Sequence, residues 1–252
     1  NIACQSSKWI YVMHAIVPIK NLSDAKERLS ILLDKSHRQG LFRAMTLDVL
    51  SVLKKQPGIS GIVIVSDDPV AARLAEEHGA ELLTENELNV KGLNAVIQAA
   101  VSHMALRQIQ DVMIIHADVP LINAANLSQL ITMHRKIKGP RLTIAPDRHH
   151  NGSNCIICNP ASSFTFQYGA DSFHKHCAQA NALRFEIQVL DDPDIGCDID
   201  YPQDLAHFLA RSQGCNATRT GKYLSKNGIT HAFIKNAYDQ STLQGRQYEW
   251  AN

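Results

Sequence analysis

The stretch that decides the fold is DVMIIHADVPLI, residues 111–122. Its apolar run, Val112–Ile115, predicts a buried strand, which must stop before Pro120 because proline lacks the N–H that a sheet ladder needs. Asp118 then lies where a parallel strand gives way to a loop, and ligands bind at this edge of an open α/β sheet. Because a carboxylate is costly to desolvate there, we expect Asp118 to have a cation or a hydrogen-bond donor as its partner.

Strand and helix patterns alternate on both sides of this stretch. We predict strands at 11–19, 61–68, 80–85, 111–117, 141–147, 153–160 and 185–190. Helical patterns occupy 36–56, 68–79, 92–108 and 125–137. Residues 168–182 are a loop that leads into a helix, and a closing helix follows Pro202. Strands separated by helices of this length predict an α/β fold with a doubly wound, mostly parallel sheet in a single domain.

The predicted domain occupies residues 13–212. Residues 1–12 precede the plausible start "MHAIVPIK" at Met13 and are interpreted as an N-terminal extension or a cloning remnant. Residues 213–252 are polar, short in period and rich in Gly, Asn and Thr, so we interpret them as a C-terminal tail that contains at most one short helix.

The composition excludes several classes of function. The formal net charge of the 252 residues is +1, which gives no electrostatic reason to bind nucleic acid or an anionic membrane. No apolar run approaches the roughly 18 residues of a membrane span, and the first residues lack the pattern of a secretory signal. The partners are therefore expected to be small molecules in the cytoplasm, and a homodimer is left open.

The six cysteines are scattered through a chain much larger than a disulfide-stapled miniprotein. Cys155 and Cys158 form a CxxC motif, but the motif lies in a predicted strand. Alternation along that strand would place the two thiols on opposite faces of the sheet. Buried, reduced thiols are favoured over a metal or redox site.

A second group of acidic residues follows in CDIDYP, where Asp198 and Asp200 are two positions apart. In an extended segment both carboxylates face the same side, and with Asp118 they would form the all-oxygen ligand set that Mg²⁺ prefers. The structural alternative is that Asp200 is the N-cap of the helix that Pro202 begins. We favour the metal site because Asp118 and the pair both precede a proline.

Three cations follow the first predicted strand in VPIKNLSDAKERL, residues 17–29. Lys20, Lys26 and Arg28 lie where nucleotide-binding α/β sheets usually hold phosphates. The alternative is an ordinary solvated helix face. Neither a GxxxxGK[ST] nor a GxGxxG motif occurs, so a P-loop enzyme and a Rossmann dehydrogenase are both unsupported.

Six motifs in this order and spacing identify a family resemblance. They are VPIKNLSDAKERL, GLNAVIQAA, HADVPLI, APDRHHNGSN, YGADSFHKHCAQA and CDIDYPQDL. Together they closely resemble the CofC/FbiD-type guanylyltransferases of deazaflavin coenzyme F(420) biosynthesis, over about residues 13 to 210. The resemblance implies a sheet of the nucleotide-diphospho-sugar transferase type, with GTP as substrate and Mg²⁺ as cofactor.

The resemblance also implies roles for particular residues. The metal carboxylates would be Asp118, Asp198 and Asp200, and the catalytic residues would be Lys20, Lys26 and Asp118. Nucleotide binding would fall to Lys20, Lys26, Arg28, Gly92, Leu93 and Asn94. The acceptor would be bound by Gly152, Ser153, Asn154, Gly169 and Ser172.

Two departures from the family pattern concern the acceptor pocket. Ser153 stands where threonine is usual, which keeps the hydroxyl group. His149 and His150 occupy a stretch that is usually small or glycine-rich, so we expect the pocket to differ in shape. An imidazole that reached the acceptor could donate to an additional hydroxyl, which favours 3-phospho-D-glycerate slightly over the other acids.

The predicted reaction moves GMP from GTP to the phosphate of a phosphorylated three-carbon acid and releases pyrophosphate. The acid is 3-phospho-D-glycerate, phosphoenolpyruvate or 2-phospho-L-lactate. Joining two polyanions needs cations more than acid–base groups, so the absence of a Ser/His/Asp or Cys/His set is expected. The alternatives are a molybdopterin or sugar-phosphate nucleotidyltransferase of the same fold, or an inactive α/β binding domain.

Overall fold

The computed structural model describes residues 12–20, 26–211 and 217–230. The strand predicted at 111–117 forms at Asp111–Ile115, in the centre of a sheet of seven strands in these residues, and each of its five residues is buried. The strands are β1 Met13–Pro18, β2 Gly61–Val65, β3 Glu81–Leu83, β4 Asp111–Ile115, β5 Arg141–Pro146, β6 Ser153–Asn159 and β7 Glu186–Val189. The strand order across the sheet is β3-β2-β1-β4-β6-β5-β7.

Helices cover both faces of the sheet, as the α/β prediction requires. They are α1 Lys35–Leu53, α2 Pro69–His78, α3 Glu85–Leu88, α4 Leu93–Leu106, α5 Ala124–Lys136, α6 Ser172–Ala182, α7 Pro202–Ala210 and α8 Arg219–Lys226. Short 3₁₀ helices occupy Glu27–Leu29 and Ala161–Ser163. No helix in the described ranges is both long and apolar enough to cross a bilayer.

Strand β6 is the one described strand that runs against the others. It pairs antiparallel with both β4 and β5, whereas β1, β2, β3 and β4 pair in parallel, as do β5 and β7. Its first residues therefore lie at the edge where β4 ends. His116, just after β4, donates its backbone N–H to the carbonyl oxygen of Asn154 at 3.1 Å. The loop that precedes β6 is thus brought beside the loop that follows β4.

The two faces of the sheet carry separate hydrophobic layers. One layer packs under α1, α2, α5, α7 and α8, and the other packs under α4 and α6. Cys155 belongs to the first layer and Cys158 to the second, so the thiols point to opposite faces, as predicted. Both thiols are free, and burial raises the pKa of each.

Local signals set the ends of the helices. The side chain of Asp68 accepts a hydrogen bond from the N–H of Val70 at the start of α2, and Pro69 occupies the first helical position. The same helix ends at Gly79, which adopts the left-handed conformation with a φ of 66°. Both ends of α2 agree with the helix predicted at 68–79.

Helix α8 belongs to the segment that the sequence analysis separated as a tail. Its Leu224 is fully buried in the same layer as α1, and Asp48 of α1 holds its first turn. The carboxylate of Asp48 accepts from the backbone N–H groups of Arg219 and Thr220 at 2.8 and 2.9 Å, and from the Thr220 hydroxyl at 2.7 Å. The boundary at 212/213 stays a prediction, but α8 packs against the sheet domain.

This contact predicts the effect of removing the Asp48 carboxylate. We expect Asp48→Ala to lower the free energy of unfolding by about 2 kcal/mol, because buried donors at the start of α8 lose their acceptor. Urea unfolding of the full chain measures the change. Glu77→Ala on the exposed face of α2 is the control and should cost less than about 0.5 kcal/mol. Equal losses in the two variants would contradict the assigned role of Asp48.

Candidate active site

The loop after β1 delivers an ammonium group to the edge of the sheet. Lys26 has left-handed backbone dihedrals, and its side chain is only 6% exposed. Its Nζ lies 2.6 Å from Oδ2 of Asp118 and 2.6 Å from Oδ1 of Asp200. Asp118 and Asp200 lie 92 and 174 positions after Lys26 in the chain, yet both contact its ammonium group. The partner that the sequence required for Asp118 is Lys26.

The segment Cys197–Asp200 alternates between the core and the site. Cys197 and Ile199 are fully buried, whereas Asp198 and Asp200 are partly exposed on the other side, as predicted for an extended segment. The backbone N–H of Ile199 donates to the carbonyl oxygen of Asp118 at 3.1 Å. This hydrogen bond joins the loop after β4 to the loop before α7.

The site holds more negative than positive charge in its interior. Burial would lower the pKa of Lys26, but the carboxylates of Asp118 and Asp200 raise it, so this group is an ammonium. Burial would raise the pKa of Asp118, and the adjacent ammonium lowers it instead. Burial and the neighbouring Asp118 raise the pKa of Asp198 to about 7. Asp198 is therefore the carboxylate that the single lysine leaves uncompensated.

Asp200 is not the N-cap of α7. The cap is Tyr201, and Pro202 occupies the first turn. Asp204 accepts from the backbone N–H groups of Asp200 and Tyr201 at 2.8 and 2.6 Å, which leaves the Asp200 side chain to Lys26. The capping alternative was therefore wrong for Asp200, because Tyr201 is the N-cap and the Asp200 side chain accepts from Lys26 instead.

The remaining cations of the first loop are more exposed. Arg28 is 60% exposed, with its Nη1 3.6 Å from Oδ2 of Asp200 and its guanidinium over the Tyr201 ring at 4.7 Å. Lys20 is exposed at the end of β1. The structure thus brings Lys26 and Arg28 to the acidic residues and leaves Lys20 on the surface of the same edge.

The acidic residues are not arranged as a ready-made metal centre. No group of three or more His, Cys, Asp or Glu side chains in the described ranges could hold a metal ion as it stands. The Lys26 ammonium lies between two of the three predicted ligands. Oδ1 of Asp118 is buried without a hydrogen-bond partner among the described residues. This oxygen and the uncompensated carboxylate of Asp198 could therefore coordinate a divalent cation. Such oxygen donors suit Mg²⁺.

The predicted acceptor segment adjoins the acidic residues through Asn154. Its side-chain amide donates to Oδ1 of Asp198 at 3.1 Å and to the carbonyl oxygen of Ile195 at 2.9 Å. Gly152 precedes it, and a Cβ there would meet Oδ2 of Asp147 at 3.0 Å. The turn before β6 is therefore tight and leads directly to the carboxylates that are predicted to bind metal.

The two predicted acceptor hydroxyls lie together but deep. Ser153 and Ser172 are 3% and 2% exposed, and their Oγ atoms are 3.4 Å apart. His176, one turn along α6 from Ser172, lies with its Nδ1 2.9 Å from Oγ of Ser153. Gly169 precedes the helix with a φ of 121°, a conformation that other residues rarely adopt.

The Gly92-Leu93-Asn94 segment contacts the loop before α6, which contains the predicted acceptor residue Gly169. Gly92 is the N-cap of α4, and Leu93 packs on the adjacent hydrophobic layer. The side chain of Asn94 accepts from the backbone N–H of Tyr168 at 2.6 Å and donates to its carbonyl oxygen at 3.0 Å. This double hydrogen bond could not be predicted from the sequence, because no local pattern links residues that are 74 positions apart.

The two unusual histidines lie on the outer side of the turn before β6. His149 is exposed, with its Nε2 3.0 Å from Nε of Arg148. His150 lies 3.2 Å from Oδ2 of Asp191 and edge-on to the Phe173 ring. These contacts favour the interpretation of both imidazoles as turn residues. Arg148, which the sequence analysis did not single out, pairs with Asp204 at 2.6 Å and so ties this turn to the start of α7.

The fold and site together define a class of protein: an α/β nucleotide-diphospho-sugar transferase fold with an acidic, lysine-bridged edge. A solved structure described as a nucleotide-diphospho-sugar transferase from Desulfovibrio desulfuricans matches with a TM-score of 0.69 at 15% identity, and covers 89% of this chain and 97% of that chain. The identity is low, so this likeness shows the fold alone.

The family model "Guanylyl transferase CofC like" matches residues 13–244, and the chain belongs to this family. A phosphoenolpyruvate guanylyltransferase from Roseiflexus castenholzii is 32% identical over 82% of this chain and 92% of its own length. A 2-phospho-L-lactate guanylyltransferase from Methanosphaera stadtmanae is 28% identical over 85% of this chain and 90% of its own length. The chain is a nucleotidyltransferase, and the recognised resemblance is confirmed.

Proposed function

We propose that this enzyme transfers GMP from GTP to the phosphate of a phosphorylated three-carbon acid, in coenzyme F(420) biosynthesis in the cytoplasm. A phosphate oxygen of the acid forms a bond to the α-phosphorus of GTP. The bond from that phosphorus to the bridging oxygen of the β-phosphate breaks, and pyrophosphate leaves with the electron pair. The product is a guanosine diphosphate-linked acid.

The observation that supports this most strongly is the joining of the cation loop to the acidic residues. Lys26 holds Asp118 and Asp200, and Asn154 joins Asp198 to the start of β6. Elements predicted to bind phosphate, metal and acceptor thus meet at one edge of the sheet. That arrangement suits a reaction between two polyanions, which needs charge screening above all.

Asp118, Asp198 and Asp200 would hold Mg²⁺. When bound, the ion would screen the phosphates and stabilise the charge that develops on pyrophosphate. Two observations support a cation at this place. Oδ1 of Asp118 has no hydrogen-bond partner in the part of the chain that the structure describes, and burial and the Asp118 charge raise the pKa of Asp198. Lys26 would then release at least one of its carboxylates and bind the phosphates of GTP.

The other residues would bind the two substrates. Lys20 and Arg28, on the same edge as Lys26, would contact GTP phosphates, and Gly92, Leu93 and Asn94 would lie near the nucleoside. Gly152, Ser153, Asn154, Gly169 and Ser172 would bind the acid. The names of the relatives support a phosphorylated three-carbon acid as acceptor, and they include phosphoenolpyruvate and 2-phospho-L-lactate.

A side-by-side turnover assay tests this proposal. We expect pyrophosphate release from GTP with at least one of phosphoenolpyruvate, 2-phospho-L-lactate and 3-phospho-D-glycerate, in the presence of Mg²⁺. A chelator should remove the activity, and restored Mg²⁺ should return it. GTP without any acid is the control. Absence of pyrophosphate release with all three acids would overturn the proposed function, and activity that survives the chelator would overturn the metal assignment.

A further inference from the structure

The buried imidazole of His176 has a defined tautomer. The backbone N–H of Gln167 donates to its Nε2 at 2.9 Å. Because a backbone N–H can only donate, Nε2 must be the unprotonated nitrogen. Burial, followed by the charges of His116 and Lys175, lowers the pKa of His176 to about 4, so the ring is neutral near pH 7. The single ring proton is therefore on Nδ1.

This tautomer decides how Ser153 uses its hydroxyl group. Nδ1 of His176 lies 2.9 Å from Oγ of Ser153, so the imidazole donates and the serine oxygen accepts. The serine hydrogen then cannot point at His176. The Ser172 hydroxyl donates to Oγ of Ser153 at the longer distance of 3.4 Å, so the hydrogen of Ser153 is left for a ligand. A hydroxyl whose oxygen already accepts a hydrogen bond is also a better donor.

The surroundings of His176 keep this arrangement in place. The ring is fully buried, and the rings of Phe164, Phe166 and Tyr168 enclose it at centroid distances of 6.0, 6.3 and 4.9 Å. Through its two nitrogens the imidazole links the loop before α6 to the first residue of β6. The next residue of that strand, Asn154, contacts Asp198.

We propose that His176 is a positioning residue for the acceptor acid. It orients Ser153 so that the serine hydroxyl is presented as a hydrogen-bond donor to a carboxylate or phosphate of the acid. The inference rests on the proposed function, and it assigns a role to a buried side chain that lies behind the substrate-binding residues.

Two amide substitutions separate the two nitrogens of the ring. In His176→Asn the side-chain amide nitrogen can replace Nδ1 and donate to Ser153. In His176→Gln the longer side chain reaches the position of Nε2, where its oxygen can accept from Gln167, but the donor to Ser153 is lost. Both variants leave a smaller side chain in the same apolar enclosure, so each controls for the packing defect of the other.

Steady-state measurement of pyrophosphate release gives the readout. We expect His176→Gln to raise the KM for the acid by about tenfold or more, because a charge-assisted hydrogen bond is lost. The KM for GTP should stay within about twofold, since GTP does not use this hydroxyl. His176→Asn should recover most of the KM for the acid. Thermal unfolding of both variants checks that they are folded and comparably destabilised.

A double substitution tests whether His176 acts through Ser153. Ser153→Ala alone should raise the KM for the acid, and adding His176→Gln should raise it little further, because two residues in one interaction are not additive. Equal effects of the Asn and Gln variants, additive losses, or a parallel rise in the KM for GTP would overturn the inference. Absence of turnover by the unchanged protein with all three acids would overturn the proposed function and, with it, this inference.

Discussion

Asp118→Asn should reduce kcat by about a thousandfold or more, which corresponds to about 4 kcal/mol of transition-state stabilisation. The substitution removes the charge that binds the metal ion in our proposal and keeps the shape of the side chain. The remaining amide oxygen can still accept from Lys26, and the repulsion of Asp198 is relieved. The free energy of unfolding should therefore change by less than about 1 kcal/mol. Single-turnover kinetics and urea unfolding measure the two effects.

Asp111→Asn at the opposite end of β4 is the matched control. Asp111 lies 2.7 Å from Nη2 of the buried Arg141 and 3.1 Å from Nε2 of the buried His134, on the edge away from the site. We expect this variant to lose about 3 kcal/mol of stability, because a buried guanidinium loses its counter-charge, and to keep kcat within about twofold. Full activity in Asp118→Asn, or equal loss of activity in both variants, would refute the catalytic assignment of Asp118.

Lys26→Met should lower kcat/KM for GTP by about a hundredfold, which is far more than the roughly 0.2–1 kcal/mol of a surface ion pair. The buried ammonium is the common partner of Asp118 and Asp200, and in our proposal it also binds the phosphates. Lys55→Met, at an exposed position just after α1, is the control and should behave as the unchanged protein. A decrease of less than about fivefold would favour the solvated-face interpretation.

Lys26→Met should also change how the free energy of unfolding depends on pH. Lys26 lowers the pKa of Asp118 in the folded protein, so its contribution to stability is present above the unfolded pKa and is lost as the pH falls through the folded value. Without the ammonium this carboxylate is uncompensated. Lys26→Met should therefore be destabilised by about 3 kcal/mol near neutral pH and by less in acid. Urea unfolding at a series of pH values measures the difference in the free energy of unfolding between the variant and the unchanged protein. A difference that did not change with pH would contradict this account.

Mg²⁺ offers a readout of the metal site that does not depend on turnover. In Lys26→Met a divalent cation should restore part of the lost stability, because ligand binding to the folded state raises the free energy of unfolding. The unchanged protein, whose ammonium already compensates Asp118 and Asp200, should respond less to the same concentration. An equal response of both proteins would contradict competition between Lys26 and the metal ion.

The order of strands and helices could be predicted because hydrophobic period and turn residues are local signals. The strand direction of β6 could not be predicted, because the mostly buried stretch SNCIICN carries no local signal of its direction in the sheet. The general prediction of a mostly parallel sheet left room for one reversed strand. The direction of β6 determines which of its ends lies beside the carboxyl end of β4.

The acidic residues of the site were also found from local signals. Asp118, Asp198 and Asp200 follow buried segments and precede prolines, so their positions at the ligand edge could be inferred. Their pairing with Lys26 could not, because it depends on the left-handed backbone at that residue and on contacts over long separations. The same applies to Ser153 with His176, and to Arg148 with Asp204.

The double hydrogen bond from Asn94 to Tyr168 has a consequence for how this family can diverge. One amide holds both polar groups of a single peptide residue in the loop before α6, much as a neighbouring strand would. An inserted or deleted residue between β6 and Tyr168 would break both bonds. A substitution of a side chain within the loop would break neither, because Asn94 contacts only the loop backbone here. We therefore expect family members that use different acceptor acids to differ in the amino-acid composition of this loop but to keep its length.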